Sequence, residues 1–199
     1  MHNRTKILGI TGPTGSGKST LCSELNRIGY NIIDCDKLNK EIQENDSSVQ
    51  EKMRKCFGNS IFDDDNRMTI DRKALARIVF SSKIEMNKLT SIIYPEIIKK
   101  IISIANDLKG NSILIIDAPT LFESGIDVIC DKTLSIISPR NLRLDRIMKR
   151  DNINLEQAKL RMNFQMNDEF YINKSDFVLD GSAKIEHLIE NILNILKSM

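Results

Sequence analysis

The sequence has 199 residues, 41% hydrophobic and 28% charged, enough apolar material for one buried core and too little compositional bias for disorder. Twenty-nine basic against 27 acidic side chains leave a formal charge of +2, which argues against a protein built to neutralise a nucleic-acid backbone. No apolar run has the length of a membrane span, and Ile7 to Ile10 are too few apolar positions for a secretory signal, so a cytoplasmic protein with neither membrane nor nucleic-acid partner is expected. Cys22, Cys35, Cys56 and Cys130 form no CxxC pair and are joined only by His2 and His187, which fits reduced thiols better than zinc or disulfides.

In chain order, Lys6 to Ile10 read as a short buried strand, Gly12 to Gly17 interrupt it, and Lys18 opens a helix carrying Leu21, Leu25 and Ile28 at helical spacing until Gly29. Tyr30, Ile32 and Ile33 form a second strand that stops at Asp34, and Asp36 to about Gln43 turn polar and helical. The stretch Asn45 to Gly110 offers helices near 48–57, 71–80 and 84–108, with an acidic turn at Asp63 to Asn66, and reads as a helical insertion. Ser112 to Ile116, ending at Asp117, are mostly β-branched or aliphatic, and Lys132 to Ile137 repeat the pattern, as buried parallel strands would. Phe177 to Leu179 make a last strand, and Ile185, Leu188, Ile189, Ile192, Leu193 and Leu196 give the final helix one apolar stripe, a core face rather than a membrane one. Strands alternating with helices imply an α/β fold whose parallel sheet is covered on both faces and binds ligands at the carboxyl ends of its strands.

Gly12, Pro13, Thr14, Gly15, Ser16, Gly17, Lys18, Ser19 and Thr20 contain GxxxxGK[ST], which chance would place in about 1% of chains this long. Here it also lies between a strand and a helix, the context in which backbone N–H groups and a helix N-terminus face phosphate oxygens. Lys18 can then reach the β/γ-phosphates, and the Ser19 hydroxyl can hold Mg²⁺. Asp34-Cys35-Asp36 follows the second strand, where a carboxylate can take a hydroxyl proton. Asp36 would alternatively cap the next helix, but a strand end facing a phosphate loop favours chemistry. Asp117, after Ile113 to Ile116, has the position of a metal-supporting acid.

Arg140, Arg143, Arg146 and Arg150 recur along one side of a helix that carries Leu144, Ile147 and Met148 on the other. In most proteins such a row is a solvated face. Beside a phosphoryl-transfer site, Arg146 and Arg150 can instead neutralise the transferred charge from a mobile segment. Asn154 and Gln157 read as a capping box opening a short helix that holds Arg161 and Gln165, so Asp151 to Tyr171 read as a lid. Asn173-Lys174-Ser175-Asp176 and Asp107-Leu108-Lys109-Gly110 spell the NKxD and DxxG of GTPases. Both precede their strands, whereas nucleotide lies after strand ends, so both read as coincidence.

From these residues alone the reading is a small-molecule kinase. The chain also resembles the dephospho-coenzyme A kinases along nearly its whole length: Thr11 to Ser19 resemble TGGIGSGKS, Asp34-Cys35-Asp36 the DAD, and Asp71, Arg72 and Leu75 the DRxxL. Asp117 to Glu123 are similar to DxPLLFE, Arg146 and Arg150 to RxxxR, Arg161 to Gln165 to RIxxQ, and Ser175 to Gly181 to ADFVIDN. Tyr94-Pro95 stands where that family usually has His-Pro, Thr120 replaces Leu, and Gly181 replaces Asn. Tyrosine keeps a polar tip but does not titrate near neutrality.

The resemblance implies a P-loop NTPase three-layer sandwich, its five-stranded parallel sheet in the order 2-3-1-4-5. A nucleotide core of 1–37, 111–140 and 173–199 would carry a helical substrate-binding insertion at 38–110 and a lid at 141–172. It implies transfer of the γ-phosphoryl of ATP to the ribose 3′-hydroxyl of dephospho-CoA. Asp36 would act as base, with Lys18, Arg146 and Arg150 at the phosphates. Gly12 to Thr20, Arg140 and Arg150 would hold ATP, and Asp34, Asp36, Arg72, Tyr94, Asp117 and Arg161 the second substrate. Mg²⁺ would sit on Ser19, with Asp36 and Asp117 acting through water, and no obligate protein partner is implied. The alternative is another small-molecule or nucleotide kinase.

Overall fold

The computed structural model describes residues 4–63, 69–108 and 112–199. Strand β1 (Lys6–Thr11) is buried along nearly its whole length, as a strand flanked on both edges must be. It pairs in parallel with β3 (Ile113–Asp117) and β4 (Lys132–Ile137). β2 (Asn31–Asp34) lies outside β3 and β5 (Phe177–Asp180) outside β4, also in parallel. The sheet order is therefore β2-β3-β1-β4-β5, as expected. Because every strand runs the same way, Gly12, Asp34, Asp117, Ser138 and Gly181 all arrive at one edge, the carboxyl ends where α/β sheets bind ligands.

Helices α1 (Lys18–Arg27) and α9 (Ile185–Ser198) cover one face of that sheet. Leu21, Cys22 and Leu25 from α1, and Leu188, Ile192, Ile195 and Leu196 from α9, pack with Leu8, Ile10, Ile115, Leu134 and Ile136. The stripe on the last helix is thus core, each buried Leu or Ile contributing about 1.5–3 kcal/mol. On the opposite face Gly9 lies under Leu121 and Cys130, and a Cβ there would come within 2.8 Å of both.

The chain divides into two compact units, one formed by the chain up to Asp34 with Ala105 onward, the other by Cys35–Ile104. Within the second, α2 (Cys35–Asn45), α3 (Ser47–Phe57), α4 (Arg72–Val79) and most of α5 (Lys83–Asp107) bury Leu38, Ile42, Val49, Met53, Leu75, Ile93, Ile97 and Ile101. Asp46 caps α3 by accepting from Ser48 and Val49 N–H at 2.9 and 3.1 Å, and Asp71 caps α4 by accepting from Lys73 and Ala74 at 2.8 and 3.1 Å. Of the acidic turn expected at Asp63 to Asn66 only Asp63 is described, and Lys109 and Gly110 lie outside the described residues too. No helix among the described residues is long and apolar enough to cross a membrane.

After β4 come α6 (Arg140–Asp151), α7 (Leu155–Asn163) and α8 (Asp168–Lys174). The expected capping box is present, Gln157 N–H donating to Asn154 Oδ1 and Asn154 N–H to Gln157 Oε1. One expectation needs correcting. Gln165 is not in that helix, because Phe164 is its C-cap and Asn167 caps a separate α8 through Phe170 N–H at 2.9 Å. The composition of Phe164 to Asn167 marks no break, so the asparagine cap was the available signal.

Candidate active site

Gly17, the N-cap of α1, has no side chain with which to cap it, so the first-turn N–H groups meet no side-chain acceptor from that position and the helix N-terminus presents its partial positive charge to an anion. Gly15 has φ +77°, and a Cβ on it would meet the Arg143 carbonyl oxygen at 2.8 Å, so glycine alone lets the loop lie against the α6 backbone. Ser16 N–H donates to the Pro13 carbonyl at 3.2 Å, which turns the chain tightly within the loop. Ser19 and Thr20 are exposed in the first turn of α1.

Two carboxylates stand side by side at the adjoining strand ends, since Asp34 and Asp117 are register partners of β2 and β3. Lys18 Nζ donates to Asp117 Oδ1, and the two side chains are only 10% and 13% exposed. The loop lysine and the strand-end acid therefore form one largely buried pair, set at the edge predicted for phosphate. Nearby, burial pushes the Cys22 thiol of α1 up to about 11, with opposing influences from Lys18, which lowers it, and Asp34, which raises it.

The arginine row of α6 is only partly a solvated face, with Arg140 and Arg150 exposed, Arg146 half-buried and Arg143 buried. Arg143 is buried and pairs with Asp168 at 2.9 Å, while Arg140 is exposed and its side chain makes no hydrogen bond among the described residues. Arg146 binds three groups at once: it donates to the Gly15 carbonyl at 3.1 Å, to Ser138 Oγ at 3.2 Å and to the Gly181 carbonyl at 3.0 Å. It thereby ties the phosphate loop to the ends of β4 and β5. Arg150 Nη2 donates to Thr14 Oγ1 at 3.3 Å, and Asp151 pairs with both Arg150 and Arg161. The hydrogen bond from Arg150 holds the Asp151 carboxyl below the usual carboxylate range.

Several contributors escape a reading of the sequence. Ser138 Oγ donates to the Ser16 carbonyl at 2.9 Å, and Gln165 Oε1 accepts from Thr14 N–H at 2.7 Å. Ser138 had a signal, its place at the end of β4. Gln165 had none beyond its motif, since nothing local says that the turn after α7 meets the loop. Arg143 was counted in the row, but its burial could not be read from spacing.

Of the remaining predicted residues, Asp36, Arg72 and Tyr94 belong to the second unit. Asp36 is the second residue of α2 and exposed. It stands inside the first turn instead of before it, so it is not the helix N-cap. Arg72 opens α4, exposed, and donates to Glu44 at 2.6 Å. Tyr94 is half-buried in α5, directly before the helix-interior Pro95. Among the described residues no group of three or more His, Cys, Asp or Glu could hold a metal by itself.

The NKxD and DxxG resemblances also resolve. Asp176 accepts from Thr133 N–H and Oγ1, both at 2.8 Å, and from Lys132 at 3.0 Å, at the amino ends of β4 and β5 and away from the loop edge. Its carboxylate is structural, and Asp107 ends α5.

A parallel sheet in this order, with a phosphate loop, a paired lysine and acid, and arginines on the helix after β4, defines a P-loop kinase. A family model described as dephospho-CoA kinase matches residues 6–187. The dephospho-CoA kinase of Fusobacterium nucleatum is 40% identical over 186 residues, which cover 94% of each chain. That of Carboxydothermus hydrogenoformans is 33% identical over 193 residues, 96% of this chain and 93% of the other. Among solved structures, a dephospho-CoA kinase from Campylobacter jejuni aligns with a TM-score of 0.69 at 29% identity, covering 96% of this chain and 98% of that one. This chain belongs to the dephospho-CoA kinase family, a family of ATP-dependent kinases.

Proposed function

We propose that this chain carries out its family's reaction, moving the γ-phosphoryl group of ATP to the ribose 3′-hydroxyl of dephospho-CoA to yield coenzyme A and ADP, the final step of CoA biosynthesis. The observation that carries the reading is the Lys18–Asp117 pair, set beside Asp34 at the end of a phosphate loop, in a chain that the family matches almost throughout. Most of the catalysis is positioning and electrostatics, because phosphoryl transfer asks little covalent chemistry of the protein.

In this reading Gly12 to Thr20 and Lys18 hold the β/γ-phosphates, and Arg140 and Arg150 add to the ATP site. Asp36, two residues along the chain from Asp34, accepts the hydroxyl proton as the oxygen attacks the γ-phosphorus and the bond to the leaving ADP oxygen breaks. Arg150 compensates the charge that gathers on the transferred oxygens. Arg146 supports it by holding the loop, a role suggested by its three contacts. Asp34, Arg72, Tyr94, Asp117 and Arg161 face dephospho-CoA. The helical stretch 38–110 embraces that substrate, 141–172 acts as a lid, and 1–37, 111–140 and 173–199 form the nucleotide core.

Mg²⁺ takes hard oxygen ligands and leaves several positions to water and substrate phosphates. The Ser19 hydroxyl, with the Asp117 and Asp36 carboxylates acting through water, is a donor set of that kind. When bound, the ion would supply positive charge that offsets the charge of the triphosphate. A cytoplasmic site of action belongs to the same proposal.

The test is an ADP-release assay across an acceptor panel of dephospho-CoA, nucleosides, nucleoside monophosphates and shikimate, with ATP and GTP as donors. Selective turnover of dephospho-CoA with ATP is expected. Selective turnover of another acceptor overturns the assignment.

A further inference from the structure

Two residues of the segment from Arg150 to Gln165 hydrogen-bond the same residue of the phosphate loop, Thr14. Gln165 Oε1 accepts a hydrogen bond from Thr14 N–H at 2.7 Å, and Arg150 Nη2 donates to Thr14 Oγ1 at 3.3 Å. The segment is braced along its length. Asp151 pairs with Arg150 at the end of α6 and with Arg161 on α7, Gln165 N–H donates to the Met162 carbonyl at 3.2 Å, and Asn167 caps α8 two residues on.

An N–H in a phosphate loop ordinarily donates to a phosphate oxygen. The Thr14 N–H donates to a side chain from outside the loop instead, and it belongs to the residue that Arg150 also reaches. We propose that Gln165 is a positioning residue for phosphoryl transfer: by accepting the Thr14 amide it docks the Arg150–Gln165 segment on the loop and so places the Arg150 guanidinium. The proposal rests on the role given to Arg150 above. Charge on the transferred oxygens is greatest in the transition state, so misplacing Arg150 lowers kcat. Ground-state nucleotide affinity is shared among Lys18, the other loop N–H groups, Arg140 and Arg150, so it changes less than kcat does.

Two substitutions separate this role from a merely structural one. Gln165→Met keeps the length and removes the acceptor, whereas Gln165→Glu keeps an acceptor oxygen. Both are measured alone and in an Arg150→Met background for kcat, ATP KM and calorimetric ADP affinity. Gln165→Met is expected to lower kcat about ten-fold, within the range that small misplacements cause, with ATP KM and ADP affinity changed less than about three-fold. Gln165→Glu recovers most of kcat and raises the ATP KM, the more so at low salt, since a carboxylate beside a triphosphate repels it. In the Arg150→Met background, Gln165→Met costs less than about two-fold, because the group it positions is gone.

The proposal is overturned if Gln165→Met loses the same factor in both backgrounds, if the loss falls on ADP affinity alone, or if Gln165→Glu does no better than Gln165→Met. Failure of the proposed reaction shows separately, as wild-type protein that binds ADP but phosphorylates a different acceptor or water. The same Gln165 comparison is then read on that acceptor.

Discussion

Lys18 and Asp117 form an ion pair in which the phosphate-loop lysine is held by the last residue of β3, with both side chains almost out of solvent. The lysine is thus already directed along the edge where β1, β2 and β3 end, and the strand-end acid holds it there. Removing one member of such a pair strands the other, which is why breaking it costs more than the pair itself is worth.

Lys18→Met should therefore impair the fold as well as the site. It leaves Asp117 beside Asp34 with less compensation, and thermal unfolding should register a loss on the order of 3 kcal/mol. ADP affinity and turnover should both fall. Asp117→Asn should cost stability in the same direction but retain more ADP binding, because Lys18, the cation proposed to meet the phosphates, remains. Equal ADP affinity in Lys18→Met and wild type, measured by calorimetry, would contradict the loop assignment.

Asp36→Asn tests the proposed base. Asparagine keeps the shape and loses the proton acceptor, so kcat should drop about 10²-fold or more while ADP affinity stays near wild type. Single-turnover kinetics with dephospho-CoA measure it. Undiminished turnover would place the base elsewhere.

Gly181, which stands where the resembling motif has Asn, supplies a further test. A Cβ at that position would collide with the Ser16 carbonyl oxygen and come within 2.7 Å of Ser138 Oγ, and the Gly181 carbonyl also accepts from Arg146. Backbone at this distance cannot be displaced cheaply, so Gly181→Ala should cost about 1–3 kcal/mol as overpacking does. It should also raise the ATP KM by pushing on the loop, and thermal melts with and without ADP read both effects. An unchanged melting temperature would mean that the loop yields freely.

The Cys22 thiol, raised by burial from its ordinary 9.0 to about 11, gives a pH signature. The unfolded chain ionises this thiol first, so the folded state loses stability as pH rises from about 9 to 11, a difference of order 2 kcal/mol. Below pH 9 that contribution is intact. Cys22→Ala should flatten the stability profile in this window. Thiol reagents at neutral pH should modify the exposed Cys56 first and reach Cys22 only when the fold opens; fast labelling of Cys22 in native protein would refute the burial argument.

The sheet was legible because parallel strands buried on both faces are rich in aliphatic and β-branched residues, as Lys6–Thr11, Ile113–Asp117 and Lys132–Ile137 are. The capping box Asn154–Gln157 is a local hydrogen-bond arrangement, so sequence spacing carries it. Asp176 shows the limit from the other side: four letters spelled a guanine reader, yet its carboxylate is spent on Thr133 and Lys132, a partner set brought together only by β4 pairing with β5.

Local composition and spacing alone determined that this protein has a phosphate loop between a strand and a helix, acids at two strand ends, and a stripe of core on its last helix, because each of those is a relation between near neighbours in the chain. Tertiary structure alone decided that Arg143 is buried while Arg140 is exposed, that Arg146 grips Gly15 and Gly181 together, and that Gln165 takes the Thr14 amide. Those partners are separated by 25 to 151 residues, and no periodicity encodes which distant backbone a side chain will meet once strands and helices have packed.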